Sequence, residues 1–427
     1  MRSHKTMIDG RGVMRWLAAA ALVALAGCSI VNPTPEAPPA APAPTPVQPT
    51  APPPPAPLRA APAPQSEAAD GLGHVALLMP ISGKLSSAGI SLREGFMTAY
   101  FQAPAAQRLH IRLYDTAELG ISAAVAQATR DGAQLIVGPL ARDAVIAAAA
   151  IPGGRPPILA LNFLPPGTPV PSAFYQFALS PEDEARQVAR RILADGYHGG
   201  VALVPTGDWG TRVITAFTQE LQAGGGTLLA QASFDPGLAD YSPEIMQVLR
   251  ISDSRARAKR LESVVGAKLE FEPRPRGDIE FIFAASPVNT ARLLLPQLRF
   301  HYVGGVPTYA TSDSFEPQPS ANQDLEGLLF PDMPWMLGSE LADSVHEAAR
   351  VAWPSDGANR NRLFAFGFDA YLLAAALHAQ PGANQLDVSG LTGHLTLDAE
   401  RRVHRELVWG TLHGGQPRVL PAAAANN

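Results

Sequence analysis

Few residues in this sequence are spaced for catalysis. Ser82 and Lys84 are one residue too close for the Ser-x-x-Lys spacing, which places a lysine amine beside a serine hydroxyl on one helical face. The Gly-x-Ser-x-Gly, His-Glu-x-x-His, phosphate-loop and Gly-x-Gly-x-x-Gly motifs do not occur, and the ten histidines lack ligand spacing. We therefore predict a protein that is not an enzyme and that needs no cofactor and no metal.

The single cysteine, Cys28, ends a pattern that is typical of bacterial export. Ten apolar residues, 17–26, follow a basic stretch, and this run is shorter than the ~20 residues of a membrane-spanning helix. Small residues precede Cys28 as in a lipobox, where a peptidase cuts before the cysteine and the thiol carries a diacylglycerol. Ser29 follows instead of the aspartate of an inner-membrane retention signal. We predict residues 1–27 as a lipoprotein signal peptide, Cys28 as the lipidation site and the outer membrane as the location.

A proline-rich spacer follows, over residues 28–72. Of the 42 prolines, 15 lie between Pro33 and Pro64, and a segment of this composition does not join a packed core. Proline fixes φ, so we expect a polyproline II rod of ~3.1 Å per residue, which would let a lipid-anchored domain work far from its membrane. The alternative is a low-complexity linker whose length is incidental.

The remaining residues, 73–427, have the composition of a globular domain. The chain as a whole is 46% apolar and carries a net charge of −5, so it lacks the basic field of general nucleic-acid binders. Apolar runs alternate with helical patterns; the predicted strands are 74–79, 110–115, 134–137, 157–161, 200–204, 227–233, 279–284 and 307–311.

This alternation predicts right-handed βαβ units and parallel sheets. The best-signalled helix has Ser180 as N-cap and Pro181 at its first position, followed by three acidic residues. Two doubly wound α/β lobes suit this length better than a TIM barrel, because the irregular stretch 234–278 and a predicted antiparallel hairpin over 395–412 interrupt any even run of eight units.

Several segments resemble the type I periplasmic binding protein-like fold. They are the first strand and its turn over residues 75–83, Arg93-Glu94-Gly95-Phe96, Ile136-Val137-Gly138-Pro139-Leu140, Ala160-Leu161-Asn162 and the late helix with Phe368-Asp369-Ala370-Tyr371. A closer resemblance is to the LpoA/LppC family of outer-membrane lipoproteins that activate class A penicillin-binding proteins. It lies in the run 295–302, Tyr309-Ala310-Thr311-Ser312, Asp324-Leu325-Glu326-Gly327 and Asp332-Met333-Pro334-Trp335.

The resemblance implies a non-catalytic regulator that binds and activates a bifunctional peptidoglycan synthase, and it makes peptidoglycan a further possible partner. Family members often carry an additional N-terminal helical-repeat domain, and this chain has the spacer in that place. The fold implies two lobes joined by three crossings. We expect the first lobe over 73–178 and 331–390, and the second over 179–330 and 391–420.

Ligands of open α/β sheets bind beyond the carboxyl ends of the strands. The residues expected to line such a cleft are Ser82, Gly83, Gly138, Pro139, Leu140 and Asn162 from the first lobe, and Asp208, Trp209, Ser286 and Ser312 from the second. The alternative function is therefore a solute-binding receptor for an amino acid or a cell-wall peptide. Ala141 and Arg142 stand where such a receptor typically offers serines, which argues against it. We expect Asp369 to be a helix N-cap.

A basic run stands out in this acidic chain. Between residues 250 and 276 there are eight basic and four acidic residues, and the densest part contains Arg255, Arg257, Lys259 and Arg260. A solvated helix face with i,i+4 ion pairs would explain it. The functional alternative is a docking surface for an acidic partner or a contact with anionic peptidoglycan.

Overall fold

The computed structural model describes residues 73–353 and 360–421. The signal peptide, Cys28 and the spacer lie outside these residues. The strands are β1 (His74–Met79), β2 (Ile111–Asp115), β3 (Ala133–Val137), β4 (Ile158–Ala160), β5 (Phe174–Phe177), β6 (Gly199–Pro205), β7 (Thr227–Phe234), β8 (Phe281–Ala284), β9 (Thr308–Tyr309), β10 (Leu329–Asp332), β11 (Asp387–Ser389), β12 (His394–Leu397), β13 (Arg402–Glu406), β14 (Val408–His413) and β15 (Gln416–Leu420).

Helices connect most of these strands. They are α1 (Ser86–Gln102), α2 (Thr116–Leu119), α3 (Ile121–Arg130), α4 (Arg142–Ala149), α5 (Pro181–Ala194), α6 (Asp208–Ala223), α7 (Ser242–Val248), α8 (Ile251–Val265), α9 (Val288–Leu298), α10 (Pro334–Leu337), α11 (Glu340–Ala352) and α12 (Arg362–Ala379). Short 3-10 turns and a π-helical turn at Arg299–Val303 complete the chain.

The strands form two sheets, one in each lobe. The first has the order β11-β12-β13-β5-β4-β3-β1-β2, and the second has the order β15-β14-β10-β9-β8-β6-β7. The central strands of both are parallel and almost fully buried, as expected of a sheet covered by helices on both faces. Antiparallel strands extend one edge of each sheet. The predicted α/β fold with two doubly wound lobes is confirmed.

The chain passes between the sheets three times. It leaves the first sheet after β5 and returns to the first lobe after β10. The third passage lies between β13 and β14, whereas we expected it near Gly390. The assignment of residues 391–406 to the second lobe is wrong, because β13 pairs with β5 and because Leu395 and Val403 are buried in a core shared with β1 and α12.

Local signals explain several elements. The hydroxyl of Ser180 accepts a hydrogen bond from the Asp183 amide at 3.1 Å, so the predicted cap of α5 is confirmed. The predicted hairpin is confirmed for β12 and β13, while β14 belongs to the other sheet. Glycines let α1 and α12 pack closely, because a Cβ at Gly95 would lie 1.8 Å from the carbonyl oxygen of Phe364.

Candidate functional site

A cavity of about 1490 Å³ opens between the two lobes beside α5. Its first-lobe wall comes from the start of α4, the loop after β4 and the β12–β13 hairpin, and its second-lobe wall comes from α5, α6 and β14. This groove, as we call it below, lies at the carboxyl ends of β4 and β5, where α/β proteins bind ligands. The lining side chains that matter here are Arg142, Asn162, Trp209, Arg402, Arg405 and Trp409.

Two of the ten predicted cleft residues, Asn162 and Trp209, line the groove. The Asn162 side-chain amide donates to the Leu140 carbonyl at 3.2 Å, and its oxygen accepts from the Phe163 amide at 2.9 Å. Asn162 therefore fixes the loops after β3 and β4. Trp209 is half-buried and packs against the second-lobe core at the start of α6.

The other eight predicted residues do not line the groove. Gly138 and Pro139 are buried, and Ser82, Gly83, Leu140 and Asp208 are exposed or half-exposed at the ends of β1 and β3 and the start of α6. Ser286 and Ser312 are buried, with 0% and 4% of their surface exposed. The Ser312 hydroxyl donates to Glu184 Oε2 at 2.8 Å, and neither serine contributes to the wall of the groove. A ligand-binding role for these ten residues stays a prediction.

A buried carboxylate lies close to the first and third passages. Glu184 Oε2 accepts hydrogen bonds from the Ser312 amide at 3.2 Å and from its hydroxyl at 2.8 Å, and Arg405 Nη2 is 3.7 Å from Glu184 Oε1. Burial raises the pKa of Glu184 to about 7, and Arg405 opposes that shift. Near neutral pH, Glu184 is thus divided between its charged and neutral forms.

A second ion pair lies at the passage after β10. Arg362 Nη2 donates to Asp332 Oδ2 at 2.5 Å, and also to the carbonyl oxygens of Ser312 at 2.9 Å and Phe315 at 3.2 Å. Arg362 begins α12 of the first lobe, whereas Ser312 and Phe315 belong to the second. The guanidinium therefore ties the two lobes together.

Asp369 is not a helix N-cap, because it lies in the middle of α12 and is completely buried. Its carboxylate accepts hydrogen bonds from the amides of Leu391 and Thr392, both at 2.7 Å, and from the Thr392 hydroxyl at 2.5 Å. Burial raises the pKa of Asp369 to about 6, and these hydrogen bonds oppose the shift. Asp369 thus holds the loop before β12 against the first lobe.

The four residues of the basic run, Arg255, Arg257, Lys259 and Arg260, are exposed on α8. Among the described residues none of the four forms an ion pair with a carboxylate, so the expected i,i+4 pairs do not account for them. Burial, and to a smaller degree Arg255, lowers the pKa of His301, whose ring contacts Phe300 edge-on with 5.3 Å between the ring centroids. Phe300 is 78% exposed and precedes His301 in the chain, so we group it with α8 and call the two together the α8 surface.

Comparison with known proteins shows the family to which the chain belongs. Residues 65–415 match the family model described as "LppC putative lipoprotein". The chain belongs to this family. A relative from Photobacterium profundum, named penicillin-binding protein activator LpoA, is 29% identical over 342 residues, which is 79% of this chain and 55% of the relative. An Aliivibrio fischeri protein of the same name is 27% identical over 348 residues, covering 80% and 56% of the two chains. The chain spans about half the length of these LppC-family relatives.

Solved structures support the fold of this LppC-family chain. The C-domain of Haemophilus influenzae LpoA, described as a regulator of PBP1A, is 23% identical with a TM-score of 0.62, covering 82% of this chain and 100% of that one. A Rhodospirillum rubrum protein described as a "putative branched-chain amino acid ABC transporter" is 18% identical with a TM-score of 0.64, with the same coverage. At these identities the likeness concerns the fold alone, which confirms the expected type I periplasmic binding protein-like architecture.

Residues 73–353 and 360–421 contain neither a membrane-spanning helix nor a metal-binding cluster. No helix there is both long and apolar enough to span a bilayer. No group of three or more histidine, cysteine, aspartate or glutamate side chains is arranged to hold a metal ion.

Proposed function

We propose that this protein is a non-catalytic regulator of peptidoglycan synthesis, an outer-membrane lipoprotein that binds and activates a class A penicillin-binding protein. The observation that carries the proposal is membership of the LppC family, together with relatives that are named activators of penicillin-binding proteins. Cys28 carries the lipid, and the spacer of residues 28–72 gives the domain its reach from the outer membrane towards a synthase.

The α8 surface is the docking site in this proposal. It has four basic side chains without carboxylate partners in the described part of the chain, and it includes the exposed aromatic ring of Phe300. Arginine and aromatic side chains are enriched among the residues that dominate binding energy at interfaces. Unpaired positive charge favours an acidic patch on the partner and speeds its association.

The test is a triple charge reversal, Arg255→Glu, Arg257→Glu and Arg260→Glu, in the full chain. Binding to a purified bifunctional synthase should weaken at least about tenfold and lose most of its salt dependence, because the paired charges that steer association are gone. Stimulation of glycan cross-linking should fall in parallel.

The matched control reverses three exposed charges elsewhere, Lys84→Glu, Arg130→Glu and Arg418→Glu, and changes the net charge by the same amount. It should bind like the wild type. Equal weakening in both triples would mean that total charge matters and not the α8 surface. Failure of the wild-type chain to bind or stimulate any class A synthase would refute the proposed function itself.

A further inference from the structure

The groove is rich in positive charge. Its lining contains seven arginines but only three carboxylates, and it also contains two histidines. The second-lobe arginines are neutralised locally; Arg191, for example, donates to Asp195 at 2.9 Å, and Arg212 pairs with Glu182 at 2.9 Å. The remaining positive charge of the groove comes from the first lobe, from Arg142 and Arg402, which form no ion pair in the described residues, and from Arg405, which lies 3.7 Å from Glu184.

Three first-lobe arginines have donors to spare. Arg142 is exposed at the start of α4 and forms no ion pair in the described residues. The Nε of Arg402 and the Nη1 of Arg405 are buried and have no hydrogen-bond partner there. The side chain of Arg405 is only 4% exposed, and the nearest carboxylate, Glu184, is 3.7 Å from its other terminal nitrogen. Buried donors without partners are rare, because each has lost its water without replacement.

Aromatic rings line the same groove as these arginines. Trp209 and Trp409, both half-buried, line the second-lobe wall, and Phe163 lies at the opposite side beneath the Arg402 guanidinium, at 5.4 Å from its ring centroid. Flat apolar faces beside a few convergent polar donors are the usual composition of a small-molecule site. Rings of this kind fit the apolar face of a pyranose sugar, and guanidinium groups fit a carboxylate in a fork geometry.

We propose that the groove binds a carboxylate-bearing sugar. That this sugar is a component of the cell wall is inferred from the proposed function. The binding site itself is inferred from the residues described above. A ligand there would contact both lobes, with its carboxylate towards Arg142, Arg402 and Arg405 and its ring towards Trp209 and Trp409. The groove is already formed in this structure, so binding requires no large closure.

The experiment titrates the full chain with N-acetylmuramic acid and follows heat and tryptophan fluorescence. N-acetylglucosamine is the matched probe, since it has the same ring without the lactyl carboxylate, and lactate carries the carboxylate without the ring. N-acetylmuramic acid should bind saturably and quench tryptophan emission. Both other probes should bind at least about tenfold more weakly, as expected for the loss of one charge-assisted contact.

Variants assign the contacts. Arg142→Gln should weaken N-acetylmuramic acid binding about tenfold and leave N-acetylglucosamine binding unchanged, because only the carboxylate loses a partner. Arg142 is exposed, so the variant should fold, and Arg130→Gln, at another exposed arginine of the first lobe, should bind like the wild type.

Three results would overturn the proposal: no binding of N-acetylmuramic acid, equal binding of the two sugars, or equal effects of Arg142→Gln and Arg130→Gln. Lactate binding as tight as that of the sugar acid would overturn the role of the aromatic wall. Synthase stimulation is measured without any sugar. A chain that does not stimulate the synthase can therefore still be tested for sugar binding, and a chain that does not bind the sugar can still be an activator.

Discussion

Replacement of Glu184 by glutamine should remove a pH dependence of stability that this buried carboxylate imposes. The pKa of Glu184 is raised to about 7 by burial, from 4.5 in an unfolded chain. Between these values the folded protein holds a proton that the unfolded chain has released, so the free energy of unfolding falls as pH rises from about 4.5 to about 7. At about 1.36 kcal/mol per pH unit, the full effect is about 3 kcal/mol.

Glutamine resembles the protonated carboxylic acid and does not titrate. Glu184→Gln should therefore match the wild type at pH 4.5, and it should exceed wild-type stability by up to about 3 kcal/mol at pH 7.5. Its side-chain oxygen still accepts a hydrogen bond from Ser312, so the local geometry is retained. The wild-type contribution of other titrating groups, including Asp369, cancels in the difference between the two curves.

The assay is urea unfolding of the full chain at several pH values between 4.5 and 7.5, followed by tryptophan fluorescence. Glu118→Gln is the control, because Glu118 is exposed on α2 and its replacement should leave the curve unchanged. Parallel pH curves for the wild type and Glu184→Gln would refute the reasoning, since they would mean that Glu184 titrates alike in both states.

Two further predictions test packing and anchoring. Gly95→Ala should cost about 3 kcal/mol in urea unfolding, because its Cβ would lie 1.8 Å from the Phe364 carbonyl oxygen, while Gly153→Ala should be tolerated, since its Cβ meets nothing within 4 Å. Cys28→Ser should abolish fractionation with outer membranes, because the thiol that we propose to carry the lipid is lost; unchanged membrane association would contradict the lipidation.

Strands with a continuous apolar run are the easiest to predict from the sequence. β1 was predicted with its observed bounds because six buried residues lie between clear turn signals. β5 and β10 were not predicted. Gln176 interrupts the apolar run of β5, although all four residues of that strand are buried. Pro331 and Asp332 make β10 unlike a typical strand, because proline cannot donate a hydrogen bond within a sheet.

The groove could not be predicted, because its walls come from segments that are far apart in the sequence. Arg405 looks like the polar side of an exposed hairpin, yet the pairing of β13 with β5 brings it beneath α5 and close to Glu184. Nothing local distinguishes it from Arg401 or Arg402. The exposure of the α8 basic side chains could be predicted, since a charge-rich helix cannot bury most of its faces.

The contacts between the lobes favour a fixed docking body over a receptor that opens and closes. One apolar cluster joins first-lobe residues such as Trp335 to second-lobe residues such as Phe315 and Phe330. Exposing a side chain of this size costs about 1.5–3 kcal/mol. Opening would also break the bonds from Arg362 to the Ser312 and Phe315 carbonyls. If the two lobes do not move relative to each other, a surface such as α8 is already ordered before a partner binds. Binding then costs less conformational entropy. A ligand in the groove would then act by stiffening an arrangement that already exists.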